Sequence, residues 1–401
     1  MRTKTFYTLF PGYEDYHFWK DPGQIPFRFS KLGYDTRIIS RENGAYSDTD
    51  KFIKIEFIPS KKCLGKNIGI VSYFINNSKK IDVLNVFHIN SWGSLLAAFI
   101  YKILNKRGVV YLKMDNCHSV GNYPWEKIFD KTLQPVSFLT APKETLIWKT
   151  KKFLIKHLFI KKIDLFSVED EESKKYYENK YSFFKGKIIV VYNGHTIDLV
   201  NKDLKVKSYK EKENLIITVG RLGTFQKNTM NLLKGFAVTA KKHNWHLELA
   251  GPIDPEFVAD KNEFFKAHPE IKNRIRFVGN LEKPELFDLY NRAKIFLLPS
   301  NFEGFAIVYS EASFFGNAII TSLYTSFKHL ITKENLGLLV EPQSPQEIGS
   351  AIIQLISNEE KTKQMSQNAR NFALANLNWD DIVKGISSHL HKKRVSKYDQ
   401  V

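Results

Sequence analysis

Cysteine is nearly absent. Cys63 and Cys117 are the two in 401 residues, too few for a disulfide framework, so a reducing compartment is expected. Long apolar runs are missing too: none reaches the ~18 residues that a transmembrane helix needs. The opening MRTKTFYTLFPGYED holds no apolar stretch followed by a small-residue cleavage site, so no signal peptide is expected. Low-complexity segments and short repeats are also lacking. With 43% hydrophobic and 25% charged residues, wholesale disorder is excluded. The reading is a cytoplasmic protein of two or three domains.

What the chain has in excess is positive charge. Sixty Lys and Arg against 42 Asp and Glu give +18, and the larger share falls in the first 200 residues. A basic surface favours phosphate-bearing partners such as nucleotides or anionic lipid headgroups, although lysine-rich composition alone is common.

Along the chain, apolar strand-like runs alternate with helical stretches. The first part gives Thr5 to Phe10, a polar loop through Asp21-Pro22-Gly23, a helix to the Leu32-Gly33 stop, then Tyr34 to Ser40. Further strands are expected at Ile81 to Ile89, Val109 to Met114, Leu165 to Val168 and Ile188 to Tyr192, with helices at Leu95 to Leu104 and Glu171 to Tyr177. A lysine-rich polar stretch, Leu199 to Asn214, reads as an interdomain linker. The alternation restarts at Ile216 to Gly220 and continues through HLELAG, IRFVGN, KIFLLP, NAIITS and GLLVEP. Near-continuous apolar strands predict parallel sheets covered on both faces. The architecture expected is α/β, with two doubly wound Rossmann-like domains facing a central cleft. The N-terminal one spans 1–205 and the C-terminal one 206–378, and a C-terminal helix, 379–401, packs back on the first.

Two segments carry chemistry. In EGFAIVYSE, Glu303 to Glu311, an acid and Gly304 leave a strand, and a second acid follows on a helix. The helix amino end favours phosphate, and Gly304 allows close backbone approach to a ligand. At this spacing the two carboxylates suit opposite ends of an elongated ligand such as a nucleotide-linked sugar; a helix-start acid plus a solvated glutamate is the plain alternative. In ITVGRLGTFQKN, Ile217 to Asn228, Arg221 and Lys227 stand at a strand's carboxyl end. They suit a diphosphate, Arg as a planar fork and Lys as a point charge, or they are two surface cations beside a helix start. The loop is neither a Walker A loop nor a dinucleotide fingerprint.

In this order and about 80 residues apart, the two motifs resemble the donor-binding domain of retaining glycosyltransferases of family 4, which have the GT-B fold. VYNGHTID, NRIRFVGNLEKPELFDLYNRAKIFLLPSNFEGF, GLLVEPQSPQEIGSAI and ALANLNWDDIVKGI resemble the family as well. The resemblance implies that Arg221 and Lys227 grip the diphosphate of a sugar nucleotide and that Glu303 contacts the sugar hydroxyls. It further implies that Gly304 and Phe305 offer backbone amides and that Glu311 holds the ribose. The family's histidine, or His-Asp pair, at a central strand end has no direct match in VVYLKMDNCHS. Asp115 and His118 are the candidates for the polar group that contacts the sugar or orients the acceptor, with His88 a weaker one. The loop Gly12 to Gly23, with Glu14, Asp15 and His17, is expected on the acceptor side.

Other patterns read as structural. Asp48-Thr49-Asp50 has the DxD form that holds metal elsewhere, but no apolar strand immediately precedes it, so it reads as a turn. Glu169 to Glu172 reads as a helix start, and Cys117-His118 has nothing nearby to orient it as a nucleophile. Lys143 to Lys162 mixes lysines with Leu146, Trp148, Phe153, Leu158 and Phe159. It is either a sheet-covering helix with a basic rim or a contact to an anionic membrane.

The resemblance implies a hexosyltransferase that moves a hexose-type sugar from a nucleoside diphosphate to an acceptor hydroxyl with retention of configuration. The expected partners are a nucleotide-sugar donor and an oligosaccharide, lipid-linked or glycoconjugate acceptor, as in surface polysaccharide synthesis. No cofactor, bound metal or nucleic acid is expected. The location is cytoplasmic, with a peripheral place on the inner membrane face left open. A sugar-nucleotide epimerase-like enzyme and a non-catalytic subunit of a glycosylating complex are the alternatives.

Overall fold

The structure, a computed structural model, describes residues 3–42, 46, 49, 51–59, 62–63, 66–67, 69–88, 91–114, 158–200, 204–239 and 243–398. Asp48, Asp50, Asp115, Cys117 and His118, and most of the 143–162 segment, lie outside them. The chain divides into two compact units. Among the described residues, one comprises those up to 114 with 158–191 and 379–398, and the other those from 192 to 378.

In the first unit the strands are β1 (Thr5–Leu9), β2 (Asp35–Ser40), β3 (Lys54–Phe57), β6 (Val83–Phe87), β7 (Val109–Lys113), β8 (Leu165–Val168) and β9 (Ile188–Val190), beside a short hairpin of β4 (Lys62–Cys63) and β5 (Lys66–Asn67). The seven-stranded sheet runs β3-β2-β1-β6-β7-β8-β9, every pairing parallel. Side-chain alternation explains why both faces are covered. Val110 and Leu112 of β7 enter one apolar cluster while Val109 and Tyr111 enter another, as a strand's period of two requires. The helix Trp379–Tyr398 sends Trp379, Val383, Ile386 and Leu390 into the second of these clusters, a helical stripe. Its Asp380 accepts from the buried Arg28 at 3.0 Å.

One sequence expectation needs correction here and another holds. Asp21-Pro22-Gly23 is the first turn of the helix Asp21–Lys31, not loop. Proline suits that turn because its missing N–H would have no helical acceptor. Gly23 is small of necessity, since a Cβ there would meet the Phe18 Cα at 2.4 Å. The run Glu169 to Glu172 does start a helix, Glu171–Lys180, with Asp170 accepting from the Ser173 N–H at 2.6 Å.

The loop after β1 is tied into the first unit. His17 Nδ1 accepts from the Glu14 N–H at 3.0 Å, and Asp15 accepts from Thr49 Oγ1 at 3.0 Å. Burial lowers the His17 pKa to about 4, so the ring is neutral near pH 7.

The second unit holds β10 (Glu213–Val219), β11 (His246–Ala250), β12 (Ile275–Gly279), β13 (Ala293–Leu298), β14 (Ala318–Ser322) and β15 (Gly337–Val340). The order is β12-β11-β10-β13-β14-β15, again parallel throughout. Phe296 and Leu298 point to one core, Ile295 and Leu297 to the other. Val200, Leu204 and Val206, inside the stretch read as linker, pack with the preceding Tyr192 against this unit's core. Strand order reverses between β10 and β13, so the loops leaving those two strands open the crevice where doubly wound sheets bind ligands.

Candidate functional site

The loop leaving β10 runs from Gly220 to Asn228, and the loop leaving β13 from Pro299 to Ala306. Hydrogen bonds zip them together. Asn301 donates through its N–H to Gln226 O at 2.9 Å and through Nδ2 to Phe225 O at 2.7 Å. Asn228 holds a left-handed φ of 53°, which asparagine tolerates. Its Nδ2 donates to Pro299 O at 3.0 Å and to Pro342 O at 2.6 Å. Gly220 leaves room for the Lys227 stem, whose Cε would lie 3.1 Å from an added Cβ.

Glu303 is held rigidly in this frame. Its N–H donates to Tyr324 O at 3.0 Å, it bridges to Thr325 as a one-residue parallel strand, and Thr325 Oγ1 donates to Gly304 O at 3.1 Å. Glu303 Oε2 lies 2.5 Å from Lys227 Nζ and accepts from Ser300 Oγ at 3.4 Å. Oε1 accepts from Gln226 Nε2 at 3.2 Å, and Gln226 Oε1 in turn accepts from Arg221 at 3.0 Å. Arg221, Gln226, Glu303 and Lys227 are thus one continuous network, with the Arg221 side of it exposed.

Glu311 stands apart. The helix begins at Ile307, so Glu303 precedes it and only Glu311 is helical. Glu311 is 1% exposed, and its Oε1 lies 2.5 Å from Lys283 Nζ. Lys283 opens the helix Lys283–Arg292, where Glu285 accepts from the Glu282 N–H at 3.2 Å. At the other end of that helix the buried Lys212 ammonium donates to the carbonyls of Tyr290, Asn291 and Ala293 at 3.3, 3.1 and 2.9 Å. The buried Tyr290 hydroxyl is pushed well above its ordinary pKa, first by burial and then by the Glu311 charge. Each acid of the pair therefore carries its own lysine.

Phe305 is a core side chain, stacked on Tyr192 at 5.3 Å and set edge-on to Phe327 at 5.1 Å. Its carbonyl accepts from Asn193 Nδ2 at 2.7 Å, while Ser310 Oγ donates to Asn193 O. The VYNG segment is thereby fastened to the start of the Glu311 helix. Gln226, Lys283 and Asn193 are the site residues that the motif reading passed over. Gln226 adjoins a named lysine and was within reach, whereas Lys283 is 28 residues from its partner. Asp115 and His118 lie outside the described residues.

In the first unit a second buried charge cluster sits at the carboxyl end of β7. Lys113 Nζ, 1% exposed, lies 3.1 Å from Asp21 and 3.2 Å from Glu169. His88, beyond β6, holds a left-handed φ of 62° and packs near Phe10 and Phe87.

Two parallel Rossmann-like sheets are the elements of the GT-B fold, and whole-chain similarities agree. Anabaena HepE in complex with UDP superposes with a TM-score of 0.69 at 15% identity, over 97% of this chain and all of that one. Residues 200–372 match the family of glycosyl transferases group 1. An uncharacterized glycosyltransferase of Methanocaldococcus jannaschii is 28% identical over 227 residues, 53% of this chain and 56% of the relative. A Campylobacter jejuni α-1,4-N-acetyl-D-galactosaminyltransferase, named for an undecaprenol diphosphate-linked acceptor, is 29% identical over 52% of this chain and 54% of its own length. The chain spans about half the length of the curated relatives it matches. Together these findings show the GT-B fold. No helix among the described residues is long and apolar enough to cross a membrane.

Proposed function

We propose that the chain transfers a hexose-type sugar from a nucleoside-diphosphate sugar to an acceptor hydroxyl, with retention of anomeric configuration and without a metal. The observation that carries this is the Arg221–Gln226–Glu303–Lys227 network at the point where the strand order reverses. A diphosphate brought there meets the Arg221 fork and the Lys227 ammonium. Lys227 then exchanges its contact with Glu303 for one with phosphate, and the released carboxylate accepts hydrogen bonds from sugar hydroxyls. Glu311, one residue past the first turn of its helix, takes the ribose hydroxyls, and the backbone at Gly304 and Phe305 approaches the donor.

In the reaction the bond between the anomeric carbon and the phosphate oxygen breaks as the acceptor oxygen bonds that carbon on the same face. The acceptor proton passes to the departing phosphate oxygen. Lys227 and Arg221 stabilise the charge gathering on the diphosphate, a contribution of up to several kcal/mol when donors are held in place beforehand. No side-chain nucleophile is required. Asp115 and His118 are proposed to contact the sugar or orient the acceptor.

HepE's UDP makes uridine diphosphate sugars the first donors to test, and the Campylobacter relative's name supports a lipid-linked or glycan acceptor, as in surface polysaccharide or glycoconjugate synthesis. A thermal-shift screen of sugar nucleotides should find one that stabilises the protein, since a ligand bound only by the native state raises its stability. That donor should then support transfer to an acceptor. Absence of any stabilising sugar nucleotide would refute the reading.

A further inference from the structure

The first unit carries a basic cavity that the proposed reaction does not use. It encloses about 550 Å³ and is lined by Lys4, Lys79, Asp82, Arg107, His391 and Arg394. Lys4 directly precedes β1, Asp82 directly precedes β6, and Gly108 on the rim directly precedes β7. The cavity therefore lies at the amino ends of the three central strands, the sheet edge opposite to the one where ligands of such folds bind. Four chain segments, the last more than 280 residues from the others, bring their cations to it.

Its charge is unbalanced. Four Lys and Arg face one acid, Asp82, and that acid is already engaged on both oxygens. Oδ2 accepts from the Thr5 N–H at 3.0 Å and Oδ1 from Arg394 at 2.8 Å. Two further acids stand at this edge: Asp164 is held by Lys102 at 3.3 Å and by the Val110 N–H at 2.8 Å, and Asp35, which opens β2, is held by Arg37 at 3.1 Å. Like charges gathered in a concave site repel one another unless an anion joins them, and low-dielectric walls sharpen the field there.

The walls are also set in advance. Asn105 Nδ2 donates to the carbonyls of Ser78 and Ile81 at 2.9 and 2.8 Å, and its Oδ1 accepts from the Gly108 N–H at 2.9 Å. The turns bearing Lys79 and Arg107 are thereby locked to one another. Arg394 is fixed by Asp82. With the turns and Arg394 held beforehand, the backbone loses little freedom when a ligand enters.

We infer that this cavity binds a compact phosphate-bearing anion, at a second ligand site separate from the donor loops. Its volume falls within the range of small-molecule pockets. The shared chemistry is a dianionic or more highly charged phosphate, whether free in solution or carried by a lipid headgroup.

The test uses the full chain and inorganic pyrophosphate, titrated calorimetrically at constant ionic strength. The donor loops also attract pyrophosphate, so the titration is made in the R221A/K227A background, which keeps the outcome independent of the proposed reaction. Pyrophosphate should bind this variant with one site, and adding K4E/K79E should weaken binding at least tenfold. Both lysines are exposed, and circular dichroism with a neutral K4Q/K79Q pair, expected to fall between, guards against misfolding. A second arm measures pelleting with phosphatidylcholine vesicles that contain phosphatidic acid. Pelleting that pyrophosphate competes away and K4E/K79E abolishes supports the site and assigns the anion to a headgroup. Soluble binding without pelleting supports it and assigns a free anion. No binding in the R221A/K227A background, or binding indifferent to Lys4 and Lys79, overturns the inference.

Discussion

Lys283 Nζ lies 2.5 Å from Glu311 Oε1, the lysine 23% exposed and the carboxylate 1%. This inequality makes the two halves of the pair unequal in what their loss costs. Without Glu311, Lys283 can turn to water. Without Lys283, a buried carboxylate stays behind. Lys283→Met should therefore destabilise the protein by about 2–4 kcal/mol, because an uncompensated buried charge is expensive. Glu311→Ala should cost clearly less. Urea unfolding of the two variants checks the order, and equal losses would contradict the asymmetry.

Catalysis should depend more on the other pair. Lys227→Ala and Glu303→Ala are each expected to lower turnover by about 10²–10³-fold, the range for removing one preorganised charge or donor at a transition state. Both variants should keep the fold, since Gln226 and Ser300 still bond Glu303 when Lys227 is gone. Near-normal turnover with both substitutions would remove the proposed site.

Much of this was legible in the sequence, for physical reasons that also mark where legibility ended. The strands β7, β8, β10, β13 and β14 are apolar on both faces, so their runs stand out against polar neighbours. β3 did not, since Lys54 and Phe57 are exposed and its other two residues only half buried. Asp21-Pro22-Gly23 was misread because proline and glycine signal both loops and first helical turns. Arg221, Lys227 and Glu303 could be picked out because they follow strand ends, and Glu311 because it lies eight residues beyond Glu303 on the next helix. Their partners could not: Lys283 meets Glu311, and Lys113 meets Asp21 and Glu169, only after separate elements pack, and no local period encodes such neighbours.

Lys113 supplies a stability test inside the first unit. Its ammonium is 1% exposed between Asp21 at 3.1 Å and Glu169 at 3.2 Å. Lys113→Met strands two carboxylates at once and should cost about 3–5 kcal/mol. Adding Asp21→Asn and Glu169→Gln should recover a large part of that loss. Equilibrium denaturation of the single and triple variants measures both effects, and a triple variant no better than the single would contradict the electrostatic origin of the cost.

The absence of a metal role is tested directly. If Arg221 and Lys227 provide the charge that stabilises the departing diphosphate, transfer should persist after exhaustive treatment with a chelator. Restoration of lost activity by added divalent cation would instead return attention to the Asp48 and Asp50 carboxylates.

The pH dependence of stability should carry the mark of two histidines. Burial lowers the pKa of His17 to about 4, and the nearby Lys20 charge adds to the shift. Burial likewise lowers His243 to about 4, with Arg274 adding to it. An unfolded histidine titrates near 6.5. Between these values the unfolded chain binds protons that the native state refuses, so stability rises with pH across this window. Acidification from about pH 6.5 towards 4 should therefore lower the midpoint of urea unfolding progressively. The contribution is fully present above the unfolded pKa and is lost as the pH falls through the window. His17→Gln should flatten the slope by up to about one proton, because the neutral amide can still accept from the Glu14 N–H. A variant slope equal to that of the parent would show that His17 protonates as readily in the native state as in the unfolded one.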